Sequence, residues 1–423
     1  LSRRQRLLFI APTLPAEGGN GLAMRAGVFL EGLAADHDVT LLVVPVAGAA
    51  PPGGVAPFVD RHAARTVIFD LAGRRPDSHL ALISRIKDAT DRDAALRAYP
   101  RPLLTGVASP DTVHAATAPL AGDRFDFVHV MRLYLAPFAA PWLDASDRSR
   151  RTRCLIDLDD DEVRTHRSLA ALHESNGDVA AAARETRESE RYAAFEREYL
   201  PRFDRVVVAA PADQAALEAR LPLGTATVVP NAVRLPTLVR GPRPDAWRLL
   251  FVGSLSYAPN ADAAQVLCRT ILPLLRSGSD RSIEVHIVGT RPPADVARLD
   301  ELPGVSVATD VPSIGPYYAR TRVAVAPIRA GGGTRIKVLE AFAHRCPVVA
   351  TRVGAEGLDV RDGVHLLMAD EPDRFAKACL KLLARDELAD RLGEAAGALV
   401  ASRHAVPVVS RRIAELCREL VIG

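Results

Sequence analysis

The chain has 423 residues, 48% hydrophobic and 25% charged, enough for two globular domains with a core in each. Its 54 basic residues nearly balance 51 acidic ones, a formal charge of +3, which argues against a duplex-binding surface and predicts no nucleic-acid partner. Five dispersed cysteines without CxxC spacing exclude a disulfide scaffold and a zinc ribbon, and fit a reducing cytoplasm.

All but four of the basic residues are arginine, a compositional bias that should not be read as a nucleic-acid footprint. Leu7–Ile10 follows a basic start, but four apolar residues before Pro12 read as a first strand and not as a leader. No apolar run approaches the ~18–20 residues of a bilayer span. The expectation is a cytoplasmic protein, with peripheral association at the inner membrane face left open.

Short runs rich in Val, Leu and Ile predict strands at Arg6–Ala11, Val39–Val46, Thr66–Leu71, Phe127–Met131, Cys154–Leu158, Arg205–Ala210 and Thr227–Pro230. Amphipathic stretches such as Gly21–Ala35 and Ala212–Arg220 lie between them, and Glu185–Tyr199 reads as a long surface helix. The Pro- and Gly-rich stretch Arg234–Ala246 is the linker candidate. Beyond it strands are expected at Arg248–Val252, Glu284–Val288, Val305–Ala308, Val323–Pro327 and Pro347–Thr351. Helices are expected at Ala261–Leu275, Val338–His344, most of Asp373–Arg403, and Val408–Leu420. The fold class is α/β: two doubly wound Rossmann-like domains facing a cleft, with ligands at the carboxyl ends of their strands. The expected domains are residues 1–236, residues 237–403, and a closing helix at 404–423.

Three segments carry chemistry. After the first strand, Thr13–Gly21 brings Gly18 and Gly19 to a helix start, where free N–H groups meet phosphate or sugar; the plain alternative is a surface turn. Met24 stands where a nicotinamide fingerprint needs its third glycine, so a dinucleotide site is discounted. Next, Asp157-Leu158-Asp159-Asp160-Asp161-Glu162 ends a strand. Its acids could bind acceptor hydroxyls or take a proton, hold a metal through D-x-D, or enrich a solvated helix start. Third, Gly331–Leu358 (GGGTRIKVLEAFAHRCPVVATRVGAEGL) opens a helix with three glycines, Arg335 and Lys337. Backbone donors, helix dipole and two cations make a pyrophosphate cradle, and Glu340 is spaced to accept from vicinal hydroxyls. Its plain alternative is a capped helix with a charged surface.

This third segment resembles the donor-site signature of retaining glycosyltransferases of the GT-B fold, family four (the group 1 set). Phe251-Val252-Gly253-Ser254 resembles the strand that opens their second domain, and Val229-Pro230-Asn231-Ala232-Val233 the V-P-N-G-V that ends the first. Asp310-Val311-Pro312 to Tyr317-Tyr318 resembles the loop that packs on the base. The resemblance implies transfer of a sugar, with retention, from a nucleotide sugar to a hydroxyl of a glycan, lipid-linked sugar or secondary metabolite. It implies no obligatory metal or other cofactor, and a bacterial role in polysaccharide or glycoconjugate synthesis. Arg335, Lys337, Asp157 and His129 are then the expected catalytic residues. Gly18, Gly19, Gly253, Val311, Gly332, Gly333, Thr334 and Glu340 would bind the donor, and Asp159, Asp160 and Arg132 the acceptor.

The departures from the pattern are specific. Gly332 stands where the family often has the first acid of Glu-x7-Glu, so backbone N–H groups of Gly332 and Gly333 are expected to replace it. The loop Gly253–Asn260 lacks the usual Arg and Lys, which shifts the cationic role to Arg335 and Lys337. The second histidine of V-H-x-H is Met131, leaving His129 alone. A nucleotide-sugar epimerase on the same fold, or a nucleotide-binding protein without turnover, are the competing readings.

Overall fold

The computed structural model describes residues 4–46, 56–72, 74, 77–144, 152–237 and 244–422. Two compact units emerge: Leu1–Pro230 together with Val409–Gly423, and Asn231–Val408. The first division falls ahead of the expected 236/237 boundary for a local reason. His404 Nδ1 lies 2.9 Å from the Asn231 carbonyl, and Val233 bridges to Ala405, which holds the segment in the second unit. The expected linker lies partly at 238–243, outside the described residues. The closing helix is Val406–Ile422, and its residues from Val409 group with the first unit rather than from 404.

The first unit is built on β1 (Gln5–Ala11), β2 (His37–Val43), β3 (Arg65–Ile68), β4 (Phe127–Met131), β5 (Arg153–Asp157), β6 (Arg205–Val208) and β7 (Ala226–Val228). They form one sheet of order β3-β2-β1-β4-β5-β6-β7, parallel throughout. Side chains alternate between its faces. Leu8, Ile10, Val128, Val130, Ile156 and Val206 share a core with Phe125, Tyr192, Phe195 and Tyr199. The second unit is built on β8 (Trp247–Ser254), β9 (Ile283–Thr290), β10 (Val305–Thr309), β11 (Val323–Ala326), β12 (Val348–Ala350) and β13 (Leu367–Met368). Its order is β10-β9-β8-β11-β12-β13, also parallel.

Each order reverses once, between β1 and β4 in the first unit and between β8 and β11 in the second. There the connections leave in opposite directions, so the strand ends open a crevice for a ligand. Glycines set the close approaches beside both. Gly27, in the helix Gly21–Ala34 that follows β1, has room for no Cβ, since one would lie 2.3 Å from the Ala16 carbonyl oxygen. At the end of β8 and β9, a Cβ on Gly289 would lie 2.0 Å from the Gly253 carbonyl oxygen. Among the described residues, no helix is long and apolar enough to cross a membrane.

Candidate functional site

The crevice of the second unit is where the glycine-rich segment comes to rest. β11 ends at Ala326, and Gly331 to Thr334 lead into the helix Ile336–Ala343, which Arg335 caps. Gly331 and Gly333 take φ of 108° and 71°, a left-handed backbone that favours glycine. Among the described residues, the N–H groups of Gly332 and Gly333 donate to no other group, and neither does the buried Thr334 Oγ1. The two backbone N–H groups at this helix N-terminus are therefore left for a ligand, while the Thr334 hydroxyl is enclosed.

The two cations of this segment divide their work. The Arg335 guanidinium is buried and donates to the carbonyls of Val353 (2.9 Å), Gly332 (2.7 Å) and Gly331 (3.1 Å), with Glu356 at 3.7 Å. It staples the glycine loop to the β12 exit, and its charge is partly met by an acid. Lys337 reaches the other way, to β8. Its ammonium hydrogen-bonds the Asn260 side-chain oxygen and lies 5.0 Å from the centre of the Phe251 ring. Among the described residues no acid pairs with it. Burial, with Arg335 adding to it, depresses Lys337 to about 7, while burial raises Glu340 to about 7 against the pull of Lys337. Both are part-exposed, and both change charge near neutrality.

The remaining donor-side candidates of this unit surround that pair. Gly253 ends β8, and a Cβ there would lie 2.9 Å from Asn260 Nδ2 and 3.1 Å from Lys337 Nζ. Tyr318 donates to the Lys337 carbonyl at 3.3 Å and stacks on His344 with ring centres 4.6 Å apart. Val311 is part-buried in the loop after β10. Asn260 was not singled out from the sequence. Its signal was an amide in the first turn of the helix Ala258–Val266, at the β8 exit where a cation was missing.

In the first unit the residues sort differently. Asp157 is fully buried at the end of β5, and Arg25 donates to both its oxygens, Nε at 2.8 Å and Nη2 at 2.7 Å. The Asp159 N–H adds a third bond at 3.1 Å, and Arg25 Nη1 also reaches the Val229 carbonyl at 3.2 Å. A carboxylate so enclosed can neither meet an acceptor nor act as the first ligand of a D-x-D metal site. Arg25 was missed, although a single arginine within an apolar helix stretch already asked for a buried acid.

His129 is likewise a core residue. It is 1% exposed, its ring packs 5.4 Å from Phe9 and 4.9 Å from Phe29, and neither nitrogen has a hydrogen-bond partner among the described residues. Burial pulls its pKa down to about 4, so it is neutral at pH 7. In the register of the sheet it lies between Phe9 and Leu155, on the face beneath the helix Gly21–Ala34. Its expected catalytic role gives way to packing.

Arg132, Asp159 and Asp160 do come together. Arg132 Nη1 lies 3.2 Å from Asp159 and 3.1 Å from Asp160, and Nη2 lies 2.5 Å from Glu162. Arg132 and Asp159 both hold positive φ, 76° and 60°, at the ends of neighbouring strands. Such strain persists where surrounding contacts impose it, and it clusters at binding sites. Asp161 instead caps the helix Glu162–Ser175 and pairs with Arg220 at 2.9 Å, as an acid at a helix start should. Gly18 and Gly19 lie exposed after β1 with open space around them, and Asn20 caps the helix that follows.

Residues 246–385 match the model of a family described as glycosyl transferases group 1. Solved structures share the whole fold. Sucrose-phosphate synthase from Thermosynechococcus elongatus superposes with a TM-score of 0.72 at 16% identity, covering 99% of this chain and all of that one. Anabaena HepE, in complex with UDP and glucose, gives 0.61 at 14% identity, covering 98% and 99%. A TarM variant from S. aureus, bound to UDP, fondaparinux and alpha-GlcNAc-glycerol, gives 0.64 at 10%, covering 99% and 100%. No curated protein matches in sequence. The family match and the shared fold together support a glycosyltransferase of the GT-B architecture.

Proposed function

We propose that the chain is a nucleotide-sugar-dependent glycosyltransferase that acts with retention and needs no metal ion. The observation that carries this reading is the glycine loop after β11: among the described residues the N–H groups of Gly332 and Gly333 donate to nothing, and Lys337, at the start of the helix that follows, pairs with no acid. That set suits a diphosphate, and HepE, similar in fold, binds UDP and glucose. Lys337 and the helix start would stabilise charge developing on the leaving diphosphate, which is preorganised electrostatic catalysis. Glu340 would accept from ribose hydroxyls, and Tyr318 with His344 would border the base. Arg132, Asp159 and Asp160 are proposed to meet the acceptor. Metal independence is supported by the state of Asp157, whose oxygens Arg25 already occupies.

The test is a panel of nucleotide sugars incubated with the protein, scored for nucleoside diphosphate release and for the anomer formed, with and without chelator. The reading expects release from one donor, a retained anomer, and full activity in chelator. Isomerisation of a donor alone would make the protein an epimerase. Binding of a nucleoside diphosphate without turnover of any donor would make it a nucleotide-binding protein.

A further inference from the structure

We propose that Asn260 is a positioning residue that holds the Lys337 ammonium in place at the β8 exit. This rests on the donor-site reading above. Asn260 is 7% exposed, and both ends of its carboxamide are used. Nδ2 donates to the Ser254 carbonyl at 2.8 Å, while Oδ1 accepts from the Lys337 ammonium. A carbonyl on one side and an ammonium on the other fix the amide in one orientation. Aspartate could not donate to Ser254, and leucine could do neither.

The glycine at 253 belongs to the same arrangement. Any side chain there would press on Asn260 Nδ2 and on Lys337 Nζ, so the β8 exit is kept bare for their contact. The ammonium is thus held over the strand ends and not free to extend into solvent. The other titratable groups bearing on Lys337 are Arg335 on its own loop and Glu340 one turn on, with Tyr318 packed against its backbone. Against desolvation and Arg335, the Asn260 oxygen favours the charged lysine without neutralising it. A carboxylate there would hold the proton more firmly but would compete with the diphosphate for the ammonium.

The experiment begins with calorimetric titration of the full-length protein with UDP, GDP and ADP. The nucleotide that binds becomes the probe, and binding of none would end the donor-site reading itself, a separate failure. Affinity of the wild type should fall as pH rises above about 7, the point at which Lys337 loses its proton. Asn260→Ala should weaken binding about tenfold, and should cost nothing further in a Lys337→Met background. Asn260→Asp, which loses the bond to Ser254 but keeps an oxygen for the ammonium, should move the alkaline fall upward by about one pH unit. The melting temperature of each variant reports folding, and Asn260→Asp stands in if Asn260→Ala does not fold. An equal penalty for Asn260→Ala with and without Lys337, or an unmoved alkaline fall in a folded Asn260→Asp, would overturn the proposal.

Discussion

At the scale of single residues, charge and burial decide which of the candidates are open to a ligand. The Arg25–Asp157 pair is buried, so removing one partner strands the other: Asp157→Asn should lose about 3–5 kcal/mol. Denaturant unfolding checks this, and Arg25→Met with Asp157→Leu together should recover most of the loss. A folded Asp157→Asn of native stability but without transfer activity would return Asp157 to the catalytic machinery. For His129 the sign follows from a pKa lowered from 6.5 to about 4. Between those values the unfolded chain takes up a proton and the folded one does not, so stability falls as pH drops through that window. His129→Leu should remove up to roughly 3 kcal/mol of that acid loss, seen as a smaller drop in stability from pH 7 to pH 4.5 than in the wild type. Identical acid profiles would show that His129 titrates freely. Sequence pattern alone could not sort these residues, because it places an acid at a strand end without showing which arginine has folded onto it.

The elements around the glycine loop were the most legible part of the chain. A strand, a glycine triplet and a helix with Lys337 and Glu340 one turn apart could be read directly, and the structure brings them to the crevice. The division of labour between the cations was not legible: both are spaced alike, and only the fold turns Arg335 to three carbonyls and Lys337 toward β8. Gly357 supports the loop from outside. It holds φ of 77°, and a Cβ would lie 3.0 Å from Thr334 Cα, so Gly357→Ala should displace Thr334 and weaken nucleoside-diphosphate binding tenfold or more. Unchanged affinity in calorimetry would mean the loop adapts or takes no part. Since Glu340 ionises and Lys337 deprotonates near pH 7, affinity should be greatest around neutrality and decline on both sides. Glu340→Gln should flatten the acid side and, by removing a charge that favours the Lys337 ammonium, move the alkaline fall downward.

At the scale of the whole molecule, continuous apolar strands alternating with helices announced parallel sheets, and both sheets are parallel. What escaped the sequence had too little pattern to read. β13 is two residues long, and the helix Ala89–Ala98 buries no residue, so neither has a periodicity. The helix Glu162–Ser175, which pairs with Val179–Tyr199, was legible only as one of three readings of the acidic string at its start, and its length was not. The central claim is that donor binding resides at the β8/β11 crevice and depends on Lys337, not on the acids that follow β5. It is tested most directly by calorimetry of the bound nucleoside diphosphate with the wild type, Lys337→Met and Asp159→Asn, each in chelator. The account predicts a loss of about tenfold or more for Lys337→Met, from the worth of one charge-assisted hydrogen bond, and native affinity for Asp159→Asn. Native affinity in Lys337→Met, with binding lost in Asp159→Asn or in chelator, would contradict it.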